Sequence, residues 1–183
     1  MIGHAERGPA AAVRRLVGAL RDAHAVQQHA EAALSELLTV AADEPELCRP
    51  LGHYAEQSRA YTRAVEARLH AHGAAPGLVR EAGSLLASVL EGGIGHGRRD
   101  AVRHMRDAYV AVHLQIAAGE TLRRVADRAG DGRTAAMAAA MCEDAHAMSH
   151  ELSDRWDIAV DMAMGPDGAD GGGAPRARGS GRG

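Results

Sequence analysis

The chain contains 183 residues, of which 46% are hydrophobic and only 2% are aromatic, with no phenylalanine. This length suits a single domain with a substantial core and is short for two domains. The formal net charge of -3 lacks the cationic excess typical of proteins that bind nucleic acid or anionic membranes, so we expect neither partner.

The types of residue also limit the fold and the chemistry. Alanine is abundant and β-branched residues are sparse, which predicts an all-α protein. The chain has no lysine, which excludes Schiff-base catalysis. Its two cysteines, Cys48 and Cys142, are too few for a disulfide framework, and it has no apolar run of the roughly 18 residues needed to span a membrane. We therefore expect a cytoplasmic protein.

The first element is a long helix that follows a polar lead of residues 1–8. Pro9 suits the first turn of a helix over residues 9–42, because the missing N–H of proline would be unpaired there anyway. Asp43-Glu44-Pro45 ends this helix, since proline disfavours the helical conformation in the residue before it.

A second long helix begins near Glu46 or Pro50 and ends at Gly73, a typical C-cap. Its buried positions are predicted by helical spacing. They are Leu47, Leu51, Tyr54, Ser58, Tyr61, Val65 and Leu69.

The connection to the second half of the chain is long. A short amphipathic segment within it has its apolar positions at Leu78, Leu85, Leu86 and Val89. The glycine-rich residues 92–97 follow no strand, so they are predicted to be a linker rather than a phosphate-binding loop. We expect a crossover that contains a short extra helix.

The second half predicts two further long helices, over residues 100–129 and 134–164, separated by Gly130-Asp131-Gly132. Residues 165–183 are rich in glycine and lose all periodicity, which predicts a disordered and solvated tail. Three arginines in this tail offer contacts to an acidic partner: Arg176, Arg178 and Arg182.

The first helix carries a seam that is apolar at both ends and polar in the middle, at His24, Gln27 and Glu31. These positions are spaced three and four apart, so they share one face of the helix. Because an unpartnered buried polar group is costly, the seam predicts a bundle helix that contributes to a polar site at mid-height.

A weak internal repeat indicates how the helices are arranged. Similar segments begin at Asp22 and Asp107, and each is followed by a break and a second long helix. Two helical hairpins joined by a long crossover predict a ferritin-like antiparallel four-helix bundle over residues 9–164.

Several motifs occur in a fixed order along residues 15–155. They are Asp22-Ala-His-Ala-Val-Gln-Gln28, the turns from Tyr54 to Tyr61, Val65-Glu-Ala-Arg-Leu69 with Gly73, and Ala147-Met148. In order and spacing these motifs resemble the bacterial ferritin-like proteins of the YciE/YciF type. The resemblance implies a helical bundle that is often a homodimer, acts in stress responses, and usually carries carboxylates around a di-metal centre.

The resemblance also places the ligand positions of that centre on residues that are mostly not acids. The positions fall on Gln27, Gln57, Val112, Gln115 and Asp144. A di-iron site needs several anionic oxygens to offset two cations in a dry core. The resemblance therefore implies the fold without the usual metal chemistry.

The remaining polar side chains allow two interpretations. The candidate metal ligands are His24, Gln27, Glu31, His113 and Asp144. Two imidazoles and two carboxylates are adequate for a single Fe, Mn or Zn ion. The alternative is a layer in which these groups and Tyr61 hydrogen-bond to one another and fix helix register. We favour the layer, because it requires no ion.

A more obvious metal-like spacing lies on the fourth helix. Glu143, His146 and His150 stand on successive turns. However, the helical wheel predicts that they point to solvent if the apolar seam of the same helix points inward. His29, His53 and Glu56 are predicted to point outward in the same way.

Three functions are compatible with these features. The first is a stress-associated scaffold or interaction protein, homodimeric, without a required cofactor and with an unknown protein partner. The second is a metal-dependent oxidase, a peroxide-handling protein or an iron-binding protein that uses the His and carboxylate residues of the core. The third is a DNA protector, which the negative charge does not favour. We expect the first, and no enzymatic activity.

Overall fold

A computed structural model of the protein describes residues 8–77 and 100–165. Within these ranges the chain forms only helices, which confirms the all-α prediction. The helices are α1 (Pro9–Val40), α2 (Pro45–Ala71), α3 (Ala101–Ala129), α4 (Gly132–Ser153) and α5 (Trp156–Met164). Most of the predicted crossover and tail, with residues 1–7, lies outside the described residues.

Proline and glycine set several helix ends, as the sequence predicts. Pro9 and Pro45 occupy the first turns of α1 and α2. Gly130 has a φ of 73° and ends α3, because glycine adopts this left-handed conformation without the clash of a Cβ. α2 begins at the earlier of the expected positions and includes Pro50 within its second turn.

The four long helices form an antiparallel bundle around two apolar clusters. The cluster at one end of the bundle is centred on Leu16, Leu20, Val65, Leu69, Leu122, Ala135 and Ala138. The cluster at the other end includes Leu34, Leu37, Leu47, Leu51, Met105, Met148 and Leu152. Each cluster joins the start of some helices to the end of others, so α1 runs antiparallel to α2 and α3, and α4 runs antiparallel to α2 and α3.

The fourth predicted helix is divided, which corrects the expectation of one helix over residues 134–164. α4 ends at Ser153, and α5 begins at Trp156. Between them, the Arg155 guanidinium donates to the main-chain oxygen of Glu46 at 3.0 Å. This change of direction lets Ala159 and Met162 of α5 bury their side chains in the apolar cluster at that end of the bundle.

α3 and α4 approach each other closely at Gly119. A Cβ at this position would stand 2.6 Å from Cys142 Sγ and 3.5 Å from the main-chain oxygen of Ala138. The thiol is itself buried and points towards the carbonyl oxygen of Ile116. The absence of a side chain at Gly119 therefore allows the two helices to pack with Cys142 between them.

Replacing Gly119 with alanine should destabilise the fold. We expect the free energy of unfolding to fall by about 1–3 kcal/mol, because the added methyl group overpacks the contact with Cys142. Urea denaturation measures the change. Gly119→Ala combined with Cys142→Ala should recover most of the loss. Gly52→Ala is the control, since a Cβ there meets no atom within 4 Å; equal effects of the two alanines would contradict the close contact.

Candidate functional site

Four buried polar side chains form a layer between the two apolar clusters, and we call it the core polar layer: Gln27, Tyr54, Ser58 and Gln115. The Gln115 amide donates to Gln27 Oε1 at 2.5 Å and to Ser58 Oγ at 3.1 Å. Ser58 Oγ also donates to Gln27 Oε1 at 2.9 Å, and the Tyr54 hydroxyl donates to Gln115 Oε1 at 2.9 Å. The layer thus links α1, α2 and α3.

The core polar layer is electrically neutral, and each of its four side chains forms a hydrogen bond to at least one of the others. Burial, with a smaller contribution from the Asp144 charge, raises the pKa of Tyr54 well above its usual value, so its hydroxyl keeps its proton and remains a donor. Amides and hydroxyls that bond to one another avoid the cost of burying unpaired polar groups. This donor set fits a hydrogen-bonded layer. It does not fit two divalent cations, which would require several carboxylates.

Two predicted ligands of the first helix, His24 and Glu31, lie on the side of α1 that faces α2. His24 is buried, and its Nε2 lies 2.9 Å from Glu66 Oε1 on α2. Glu31 is half-buried and accepts a hydrogen bond of 2.5 Å from the Thr62 hydroxyl, also on α2. Both side chains therefore join α1 to α2 beside the core polar layer and not within it.

Asp144 and His113 occupy two different environments. Asp144 is half-buried and accepts a hydrogen bond of 2.6 Å from the Tyr61 hydroxyl. Burial and this hydrogen bond raise the pKa of Tyr61, so the pair is a phenol bound to a carboxylate. His113 is exposed, and its ring lies against Tyr109, with ring centroids 4.3 Å apart. Because His113 directly follows the buried Val112, at about 100° per residue it lies beside the buried face of α3 and not on it.

The structure therefore brings together fewer of the predicted ligands than a metal site would need. Within residues 8–77 and 100–165, no three His, Cys, Asp or Glu side chains form a group that could hold a metal ion. Only Gln27 of the five candidates belongs to the core polar layer, while His24, Glu31 and Asp144 each bond to a different residue of α2.

Sequence patterns identify part of the core polar layer. Tyr54 and Ser58 lie on the predicted seam of helix 2, whereas Gln115 is indicated only by the family resemblance. Thr62 and Glu66 were missed, although their spacing of four places them on one face of α2.

The residues predicted to point to solvent are exposed with one exception. The exposed residues are Glu143, His146, His150, His53 and Glu56. His29 is half-buried instead, and burial lowers its pKa.

A second polar cluster at the end of the bundle was also missed, and we call it the terminal clasp: Arg68, His72, Asp131 and Thr134. Arg68 of α2 and His72, the C-cap residue of this helix, place nitrogen atoms 2.6 Å and 2.9 Å from Asp131 Oδ2. Asp131 also caps α4, accepting from the main-chain N–H and the hydroxyl of Thr134. Although burial opposes it, the hydrogen bonds from Thr134, Arg68 and His72 hold the pKa of Asp131 well below its usual value.

The charge of Asp131 should stabilise the fold above about pH 4, the usual range of an aspartate pKa in an unfolded chain. Because the pKa of Asp131 is lower in the folded chain than in the unfolded chain, this stabilisation is complete above the unfolded-state pKa. It is lost as the pH falls towards the folded-state pKa. We expect Asp131→Asn to reduce the free energy of unfolding by about 1–3 kcal/mol at pH 7, and by less below pH 4. Urea denaturation across pH tests this.

Asparagine also caps helices well, so this substitution isolates the charge. Asp22→Asn, at an exposed position of α1, is the matched control. A difference between Asp131→Asn and wild type that does not shrink in acid would contradict the role given to the carboxylate.

The core polar layer should depend on Gln115. Leucine at this position removes the partner of Tyr54 and one partner each of Gln27 and Ser58, so we expect a loss of about 2–4 kcal/mol in unfolding free energy. The control is Gln57→Leu, the same chemical change at a half-buried position outside the layer. Chemical denaturation measures both, and losses of equal size would contradict the proposed importance of the layer.

Comparisons with other proteins support the fold. The family described as "Domain of unknown function (DUF892)" matches residues 13–163. A crystal structure of a protein from Xanthomonas campestris pv. campestris str. ATCC 33913 superposes with a TM-score of 0.68. It is 20% identical, over 84% of this chain and 95% of that chain, which supports a shared fold alone. None of the curated proteins matches. In the described ranges no helix is long and apolar enough to cross a membrane.

Proposed function

The chain belongs to the DUF892 family of unknown function, and we propose that it is a ferritin-like bundle that acts as a stress-associated scaffold or interaction protein, not as an enzyme. In this proposal it is a cytoplasmic homodimer of the YciE/YciF type that requires no cofactor. The antiparallel order of α1 to α4 supports the ferritin-like assignment, and the presence of only two cysteines in the chain supports a reducing compartment.

The observation that carries this proposal is the hydrogen bond between Gln27 and Gln115. Two of the positions that the family resemblance assigns to metal-binding glutamates hold amides, and these amides bond to each other at 2.5 Å. A glutamine offers a neutral carbonyl oxygen where a di-metal centre needs negative charge. In this protein those positions connect α1 to α3, so they serve the architecture of the bundle.

A metal-dependent oxidase or peroxide-handling protein is the second candidate. Three half-buried carboxylates adjoin the core polar layer on three helices: Glu31, Glu66 and Asp144. Carboxylates and the His24 imidazole are donor types that Fe, Mn and Zn bind, but in the described residues no three of these side chains come together as a group that could hold an ion. Each of them is already engaged by a hydrogen bond to a neighbouring side chain, so metal binding would have to replace those bonds.

Elemental analysis of tag-free protein separates the two functions. We expect folded protein with substoichiometric Fe, Mn and Zn, both as purified and after anaerobic incubation with Fe²⁺ and gel filtration, because the amides of the core polar layer carry no charge. Helicity by circular dichroism confirms that the analysed protein is folded. The variant Asp144→Ala and its control Asp157→Ala, at an exposed position of α5, should have the same metal content as the wild type.

Stoichiometric metal in the wild type and in Asp157→Ala, but not in Asp144→Ala, would contradict the scaffold and favour the metalloprotein. Light scattering of the same samples tests the homodimer, which should have twice the 19.1 kDa mass of the chain. A mass of one chain at micromolar concentration would contradict it.

A further inference from the structure

The end of the bundle opposite the terminal clasp contains a groove of about 380 Å³ between the start of α2 and α5. Its lining is apolar at Pro45, Ile158 and Met162, and acidic at Glu44, Glu46 and Asp161. Met162 is buried and Ile158 is half-buried, whereas Glu46 and Asp161 are exposed. We call this feature the acidic groove. Its shape and chemistry fit an extended segment that has both cationic and small apolar side chains.

The electrostatics of α5 favour a cation in the acidic groove. The carbonyl groups of the last helical turn form the negative end of the helix dipole. Asp161 adds a further negative charge in this turn, and α5 has no basic residue there. Glu46 contributes another carboxylate from the first turn of α2. A guanidinium between Glu46 and Asp161 would therefore be attracted by two carboxylates and by the C-terminal end of α5. The N-terminal end of α2 and Arg155, which donates to the main-chain oxygen of Glu46, oppose this attraction in part.

The sequence that follows α5 has the complementary composition. Residues 171–183 contain Arg176, Arg178 and Arg182, no acidic side chain, and a Pro-Arg-Ala-Arg segment at residues 175–178. We propose that the acidic groove binds this C-terminal segment of the same chain, with Arg176 and Arg178 at the carboxylates of Glu46 and Asp161. Pro175 and Ala177 then face the apolar part of the groove.

The length of the chain allows this contact. Arg176 is 12 residues beyond Met164, the last residue of α5, and 12 extended residues reach about 40 Å. The segment is tethered beside the groove, so its effective concentration is in the millimolar range and weak contacts suffice. Exposed ion pairs are individually weak, which predicts an interaction that salt readily releases.

Trypsin cleavage of the full chain tests the proposal, because trypsin must reach Arg176 and Arg178. Intact-mass spectrometry would follow the initial cleavage rate at these arginines, relative to a free peptide of residues 171–183 in the same buffer. The variant Glu46→Gln combined with Asp161→Asn removes the charges without adding a cleavage site. Asp157→Asn, on the same helix but outside the groove, is the control.

We expect the wild-type tail to be cut about three to ten times more slowly than the peptide, the change given by two exposed ion pairs. The Glu46→Gln/Asp161→Asn variant and wild type in 0.5 M NaCl should approach the peptide rate, whereas Asp157→Asn should not. Unchanged protection in the double variant, or a wild-type rate equal to the peptide rate, would overturn the proposal. Protection that disappears on dilution would also overturn it, since it would indicate the tail of a second copy.

The inference goes beyond the proposed scaffold function and does not depend on it. The metal content of the core has no bearing on the cleavage rate of the tail. Circular dichroism of the double variant should match that of the wild type, because both altered side chains are exposed.

Discussion

The hydrogen bond from the Gln115 amide to Gln27 Oε1 fixes how the helices of this bundle are aligned. Apolar side chains such as leucine and alanine can exchange neighbours at moderate cost when helices slide or rotate. Two buried amides cannot, because a displaced donor or acceptor loses its partner while it stays buried. Ser58 and Tyr54 complete the arrangement from α2, so three helices must keep one register to satisfy four side chains.

The small side chains of the core give this constraint added importance. Alanine fills many of the buried positions, and a third apolar cluster, between α1 and α3, consists of Ala30, Ala33 and Ala111. Small residues bring helices close together, but each buries little apolar area and so contributes little hydrophobic stabilisation. Polar links at the edge of the core add to the alignment: His24 with Glu66, Thr62 with Glu31, and Tyr61 with Asp144.

The long helices and the polar interruption of the core follow from the sequence because both depend on local spacing. His24 and Gln27 are buried as the seam of α1 predicts. Spacing does not determine which partners meet across helices. His24 bonds to Glu66, 42 positions away, and Arg68 bonds to Asp131, 63 positions away. The end of α4 also depends on contacts between helices that local spacing does not determine. Residues 153–156 contain no glycine or proline, and the burial of Ala159 and Met162 favours the change of direction.

The two ends of the bundle differ in how their charges are balanced. At one end, Asp131 is held by Arg68, His72 and a helix N-terminus, so its negative charge is compensated within the fold. At the other end, Asp161 lies in the last turn of α5, where the helix dipole is also negative, and within the described residues it has no basic neighbour in that turn. The core polar layer between them is neutral. Because Asp161 lies at a negative helix end, whereas Asp131 is already compensated within the fold, the α5 end is where we propose the contact with the cationic C-terminal segment.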